Sequence, residues 1–200
     1  MFTSLLLVMA LPEENAGDRL GQLGHEVLYT GVGKINATLK LTEALLKRSR
    51  EGLLVLNVGS AGSHRYDAGE VVCATRFHER DMDATALGFL PGQTPYEEHV
   101  YLSNGLPLPG LPVTTCYTGD SFLTEKDPDS IYEVIDMEAY ALARTCAYFD
   151  MPFAALKFIT DGANGQAATD WRQSLALAAE KLTEQLNLLQ RNLLAGKPSK

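Results

Sequence analysis

Short apolar runs alternate along the chain with stretches in which apolar residues recur at helical spacing. Several runs are apolar on both faces, which is typical of strands buried between two layers. Strands are predicted at 4–10, 26–29, 53–58, 70–74, 113–117, 131–135 and 153–159. Helices are predicted at 13–23, 34–48, 138–149 and 170–194. This alternation predicts a three-layer α/β domain with a mainly parallel central sheet.

Residues 76–112 interrupt the alternation. The segment is rich in glycine, proline and acidic residues, which predicts a long functional loop or lid. There is no internal repeat and no shift in composition that would mark a second domain. We therefore predict one domain over residues 1–200, with a flexible tail at 196–200.

Charge and composition exclude several classes of protein. The 200 residues include 25 acidic and 17 basic side chains, and a net charge of −8 repels the phosphates of nucleic acids. No apolar run reaches the roughly 18 residues of a membrane span, and the N-terminus lacks the basic region of a signal peptide. The three cysteines are widely spaced, which argues against disulfides and zinc. We predict a cytoplasmic protein that binds neither nucleic acid nor a membrane.

Acidic residues follow the predicted strands at several of their carboxyl ends, where ligands bind in open α/β sheets. Hydrolysis of a bond to an anomeric carbon needs one carboxylate to activate water and one acid for the leaving group. A third carboxylate can accept hydrogen bonds from a sugar diol. Glu14, Asp161 and Glu138 could fill these three roles from three strand ends. The alternative is that Glu14, Asp136 and Asp161 are only caps of helices or turns.

Two glycine-containing stretches are candidates for close backbone approach to a ligand. "VGSAGS" at 58–63 is predicted to be a turn of small residues, either a plain turn or one that binds an anion or a sugar. "GVGK" at 31–34 is the other stretch. Neither matches a nucleotide-binding glycine loop.

Five motifs occur in a fixed order: "VLNVGSAGS", "FHERDMDATALGFLPGQ", "TGDSF", "DMEAYALA" and "LKFITDG". Together they resemble the nucleoside phosphorylase/nucleosidase superfamily, and within it the 5′-methylthioadenosine/S-adenosylhomocysteine nucleosidases. The resemblance covers nearly the whole chain. It implies a twisted central sheet flanked by helices and a nucleoside substrate, with no metal or cofactor. It also implies a homodimer whose loops complete the neighbouring pocket.

The resemblance also implies roles for matched positions. Glu14 would activate water, and Asp161 would protonate N7 of the departing adenine. Glu138 would bind the ribose hydroxyls, with Met137 packed under the sugar. The positions matched to the base and to the supporting contacts are Phe122 for stacking, the Leu123 backbone for the Watson–Crick edge, Ser60 near the attacking water, Thr160 to hold Asp161, and Lys157 as a positive partner of Glu14. Asp136 is interpreted as a cap of the helix after it.

Phosphorylases of the superfamily carry an arginine two residues before the "GS" turn, where this chain has Asn57. We therefore favour water as the nucleophile. A phosphate-dependent purine nucleoside phosphorylase, a futalosine-type hydrolase and a non-catalytic purine-binding protein stay open as alternatives.

The pocket for the 5′ substituent is less determined by the resemblance. Leu11 and residues 89–95 are candidates to line it, and His64 or His78 could meet a hydroxyl there. Tyr96 and Trp171 are interpreted as packing residues.

Overall fold

The computed structural model describes residues 2–124 and 131–194, the side chains to residue 191. The predicted flexible tail at 196–200 lies outside the described residues. The described ranges contain three α-helices: α1 (Lys34–Leu46), α2 (Ala139–Tyr148) and α3 (Ala167–Leu194). The eight strands are β1 (Ser4–Met9), β2 (Glu26–Tyr29), β3 (Leu53–Ser63), β4 (Val71–Glu79), β5 (Tyr101–Leu102), β6 (Val113–Thr118), β7 (Val134–Asp136) and β8 (Phe153–Asp161).

All eight strands belong to one mixed sheet in which most neighbours are parallel, as predicted. β2, β1 and β3 lie side by side in parallel, and β3 then pairs in parallel with β8. β8 continues through β4 and β6 to β7. β7 pairs back with β3, so these five strands close into a ring. The edge strand β5 pairs only with β4 among the named strands.

Helices cover both faces of the sheet, which confirms the predicted three layers. The strands alternate accordingly: Leu6 and Val8 of β1 join the core under α1 and α2, whereas Leu7 and Met9 join the core under α3. Fully burying a leucine contributes about 1.5–3 kcal/mol, so these alternating strands determine which face each helix covers. The stripe that α3 presents to the sheet consists of Ala178, Leu182, Leu186 and Leu189.

The predicted helix at 13–23 is wrong. In its place are two short 3₁₀ turns, Pro12–Asn15 and Gly21–Leu23. Gly17 and Asp18 between them have φ values of 72° and 53°, and a right-handed helix cannot pass through left-handed residues.

Two strands, β3 and β4, extend about five residues beyond their predicted ends, farther than any other strand. β3 runs to Ser63, so the stretch 58–63 is strand and the predicted turn there is wrong. β4 runs to Glu79 and pairs with β5, which shortens the predicted loop at 76–112. The three cysteines are buried and free. Within the part of the chain that is described, no helix is long and apolar enough to span a membrane.

Candidate active site

A cavity of about 240 Å³ lies where β1, β3, β7 and β8 end. Its wall carries four carboxyl groups, and Leu11 and Trp171 line it as well. The predicted site residues that line this one cavity are Glu14, Ser60, Phe122, Leu123, Met137, Glu138, Thr160 and Asp161. The sheet therefore brings together side chains that are far apart in sequence, while Lys157 lies outside the lining.

A change of pairing partner along β3 creates the place for Glu14. β3 pairs with β1 as far as Asn57 and with β7 only from Gly62. Between these two partners the backbone of β3 is open on one edge, and an unpaired buried N–H is costly. The Ser60 N–H donates to Glu14 Oε1 at 2.9 Å, and the Ser60 hydroxyl donates to the same oxygen at 2.6 Å. Glu14 therefore occupies the gap that a strand fills elsewhere.

The turn after β1 holds Glu14 at this position. Pro12 begins the 3₁₀ turn, and the Leu11 N–H donates to Glu14 Oε2 at 3.2 Å. Asn15 anchors the next part of the loop, because its amide donates to Tyr29 Oη and its Oδ1 accepts from the Leu20 N–H. The Glu14 carboxylate thus accepts hydrogen bonds at both oxygens, from the Leu11 N–H and from the N–H and hydroxyl of Ser60.

The small residues of 58–63 allow both carboxylates to approach β3. A Cβ on Gly59 would lie 3.3 Å from Glu14 Oε1. A Cβ on Gly62 would lie 2.9 Å from Asp161 Oδ1, closer than such atoms approach each other. The small residues do allow a close approach to the backbone, as the sequence suggests. The groups that approach are side chains of this protein, and the segment is a strand and not a turn.

Asp161 ends β8 and is 4% exposed. The predicted contact with Thr160 is present, with Thr160 Oγ1 at 2.7 Å from Asp161 Oδ2. The Ala163 N–H donates to Asp161 Oδ1 at 2.9 Å. Ala163 has a φ of 46°, an uncommon value for a residue with a Cβ, and such backbone strain gathers at functional sites. His64 Nε2 lies 3.3 Å from the Ala163 oxygen.

Glu138 immediately precedes α2, and its side chain is held by the turn before α1. The Gly33 N–H donates to Glu138 Oε1 at 2.8 Å, and Gly33 has a φ of 95° that glycine adopts at little cost. Burial, and then the nearby charge of Asp136, raise the pKa of Glu138 to about 8, against the opposing effects of Lys157 and Gly33. "GVGK" thus contributes to the site through its backbone.

Lys34, the last residue of that stretch, links the start of α1 to two loops. Its N–H donates to Asp120 Oδ1 at 2.8 Å. Its ammonium group donates to Glu79 Oε1 at 2.7 Å and to Asp81 Oδ1 at 2.5 Å. The residue next to Gly33 is therefore tied to the ends of β4 and β6.

The predicted pairing of Lys157 with Glu14 is wrong. Lys157 Nζ donates to Asp136 Oδ2 at 2.8 Å, and this ion pair is almost fully buried. Burial alone would raise the pKa of Asp136 and lower that of Lys157. The attraction between them outweighs burial, so the pKa of Asp136 is lowered and that of Lys157 is raised.

Asp136 is accordingly more than a cap. It does accept from the Ala139 N–H at the start of α2, at 2.9 Å. It also accepts from the Thr118 hydroxyl at 2.6 Å, and Thr118 Oγ1 in turn accepts from the Tyr140 N–H. This buried network joins β6, β7, β8 and α2 directly behind Glu138.

Trp171 is the site residue that sequence reasoning missed. It was interpreted as packing, but its indole N–H donates to Ser60 Oγ at 2.9 Å and its ring lines the cavity. One signal could have revealed it. It is the only tryptophan of the chain, it falls in the first turn of the helix predicted at 170–194, and an indole N–H that is not fully exposed needs an acceptor.

Of the other candidates for the 5′ pocket, only some line the cavity. Leu11 lines the cavity, whereas residues 89–95 are not among its lining. His78 stacks between Tyr101 and Tyr117, with ring centroids 5.1 and 4.8 Å away. Among residues 2–124 and 131–194, no group of three or more histidine, cysteine or acidic side chains is arranged to hold a metal ion.

The family model of the phosphorylase superfamily matches residues 19–190. A 5′-methylthioadenosine/S-adenosylhomocysteine nucleosidase of Bacillus subtilis (strain 168) is 33% identical over 181 residues, with 79% of this chain and 77% of the relative covered. One from Staphylococcus epidermidis is 30% identical over 199 residues, with 87% and 86% covered.

Solved structures agree on the fold. A Helicobacter pylori 5′-methylthioadenosine/S-adenosylhomocysteine nucleosidase with butyl-thio-DADMe-Immucillin-A matches with a TM-score of 0.82, at 20% identity and with 96% of this chain and 99% of that chain covered. The native futalosine hydrolase of H. pylori matches with a TM-score of 0.83 at the same identity and coverage. The matches in sequence decide the family: this chain belongs to the phosphorylase superfamily and, within it, to the 5′-methylthioadenosine/S-adenosylhomocysteine nucleosidases.

Proposed function

We propose that this protein hydrolyses the N-glycosidic bond of 5′-methylthioadenosine, S-adenosylhomocysteine or a related adenine nucleoside and releases adenine. The observation that carries the proposal is the placement of Glu14, Glu138 and Asp161 around one cavity. Each is held by a different set of donors, from β3, from the turn before α1 and from the loop after β8. Independent support comes from the activity named for the relatives.

The chemistry follows from this arrangement. Glu14 takes a proton from water as the water oxygen bonds to the anomeric carbon, and the bond to N9 of the base breaks. Asp161 gives a proton to N7, so adenine leaves as a neutral molecule. Glu138 accepts hydrogen bonds from the ribose hydroxyls, and Met137 packs under the sugar. Phe122 stacks on the base while the Leu123 backbone meets its edge.

Electrostatics favour water over phosphate as the nucleophile. The wall of the cavity carries the Glu14 carboxylate, whose partners are N–H and O–H groups and not a cation, and its charge repels an incoming anion. Asn57, at the position of the phosphorylase arginine, is buried and donates to the Val8 carbonyl oxygen. A phosphate clamp would need a cation at that place.

We further propose a homodimer that associates through an apolar groove, defined by Ile35, Leu39 and Tyr148, between α1 and α2. These side chains are 72%, 63% and 82% exposed. Val32, which lines the active-site cavity, is 41% exposed and lies just before Ile35, so a second copy seated on the groove would reach the cavity. Exposed apolar patches of this kind mark association surfaces.

A cytoplasmic location and a place in methionine salvage complete the proposal. Three buried free cysteines support the location, because such thiols suit a reducing compartment. The substrate named for the relatives supports the pathway.

The reaction is tested by adenine release in phosphate-free buffer. We expect turnover of 5′-methylthioadenosine or S-adenosylhomocysteine without phosphate, because water is the nucleophile. The panel includes adenosine, inosine and futalosine, and the products are separated chromatographically. Release only with phosphate, with a sugar 1-phosphate as product, would identify a phosphorylase instead. Cleavage of futalosine alone would identify a futalosine hydrolase, and binding without cleavage a purine-binding protein.

Asp161→Asn keeps the shape of the side chain but cannot donate a carboxylic proton. We expect turnover to fall by about 10²–10⁴-fold, the usual contribution of general acid–base catalysis, while calorimetry still detects nucleoside binding. Asp67→Asn, an exposed position outside the cavity lining, is the matched control and should keep wild-type turnover. Turnover of Asp161→Asn within tenfold of wild type would contradict the role of Asp161.

Glu138→Gln should change how stability depends on pH. With a folded pKa near 8 and an ordinary unfolded value, Glu138 is protonated in both states below about pH 4. As pH rises to 8 the unfolded state ionises first, so wild type loses stability that the neutral glutamine does not lose. Between pH 5 and pH 8, the free energy of unfolding of the variant should rise relative to that of wild type by up to a few kcal/mol, as measured by urea unfolding. Parallel pH profiles would contradict this, and the exposed Glu180→Gln should give them.

Leu39→Glu places a charge in the apolar groove. We expect the variant to be monomeric by sedimentation analysis where wild type is dimeric, because an unpaired charge cannot be buried at an apolar interface. Leu177→Glu, at a position 45% exposed on α3, should stay dimeric. A monomeric wild type, or a variant that dimerises equally well, would rule out this interface.

A further inference from the structure

Trp171 connects α3 to the group that is proposed to activate water. It lies in the second turn of α3, lines the cavity and is half-buried. The helix is fixed against β8 close by, where the Ser174 hydroxyl lies 3.4 Å from the Thr160 carbonyl oxygen. The indole N–H therefore points at Ser60 from a rigid support.

A serine hydroxyl has a single hydrogen, and its direction depends on its neighbours. The Trp171 indole can only donate, so at 2.9 Å it occupies a lone pair of Ser60 Oγ. The hydroxyl hydrogen is then left to point at Glu14 Oε1, which lies 2.6 Å away. The three groups form a relay that has one direction, from indole to hydroxyl to carboxylate.

The relay decides which oxygen of Glu14 is left for water. Oε1 accepts from both the N–H and the hydroxyl of Ser60. Oε2 accepts the longer 3.2 Å bond from the Leu11 N–H and keeps a lone pair for a proton. A hydroxyl that rotated away from Oε1 would leave the carboxylate held only by the N–H groups of Ser60 and Leu11.

We propose that Trp171 is a positioning residue of the hydrolysis: its indole N–H orients the Ser60 hydroxyl, which in turn fixes the Glu14 carboxylate against the attacking water. This role rests on the proposed function, since it matters only if Glu14 activates water. A packing role for Trp171 needs its ring but not its N–H, and the two roles therefore differ in what a phenylalanine would do.

The test is a double-mutant cycle of Trp171→Phe and Ser60→Ala, with kcat and KM measured by adenine release from 5′-methylthioadenosine. Trp171→Phe keeps an aromatic ring and removes the N–H. We expect kcat to fall about tenfold, the effect of losing one oriented hydrogen bond, with KM changed less than twofold. In the Ser60→Ala background the same substitution should change kcat less than twofold, because the relay is already broken.

Two outcomes of the cycle would overturn the role. One is a Trp171→Phe variant with wild-type kcat. The other is an equal loss of kcat in both backgrounds, which would mean that the ring acts by packing alone. Thermal unfolding of each variant shows whether a loss of activity reflects a loss of folded protein. A wild type that releases no adenine would overturn the proposed function itself, and the hydrolytic role of Trp171 with it.

The contact can also be tested without turnover. Since the chain has one tryptophan, its indole N–H gives a single resonance in a ¹⁵N-labelled sample. We expect this resonance to shift and to exchange faster with solvent in Ser60→Ala, and to shift by less in Ser63→Ala, the matched control on the same strand. An unchanged resonance in Ser60→Ala would overturn the relay whatever the activity of the protein.

Discussion

One constraint on backbone pairing underlies the whole site: β3 must leave β1 before it can meet β7. A strand between two partners has N–H groups that something else must bind. Here a carboxylate, Glu14, takes the free N–H of Ser60. The same stretch carries Gly59 and Gly62, without which Glu14 and Asp161 could not come so close to it. The same stretch of β3 therefore both closes the sheet into a ring and holds the two acidic side chains.

The hydrophobic pattern correctly predicted the strands that are buried on both faces. It failed where the backbone conformation of particular residues determines the structure. β1 and β8 are apolar on both faces, and both were predicted within two residues of their true ends. The helix at 13–23 was predicted from apolar spacing, but left-handed Gly17 and Asp18 end any helix there. The turn at 58–63 was predicted from small residues. A strand and a turn share that composition, and only the distant partner β8 distinguishes them.

The site could be predicted as a set of positions but not as a set of contacts. Ordered motifs identified the cavity-lining residues, because a matched position keeps its place in the fold. Contacts depend on distances that sequence order does not encode. Trp171 and Ser60 are 111 residues apart, and nothing local indicates that they meet. Lys157 was given the wrong partner, since its ammonium group pairs with Asp136 and not with Glu14.

The buried pair of Lys157 and Asp136 has a consequence for how this chain can vary. Two opposite charges that are buried away from water are stable only as a pair. Losing one partner costs about 3–5 kcal/mol, which is a large part of a typical domain's stability. Replacing both with well-packed neutral residues can be nearly free. We therefore expect Asp136 and Lys157 to be substituted together, because a substitution of either one alone leaves the other charge buried without a partner.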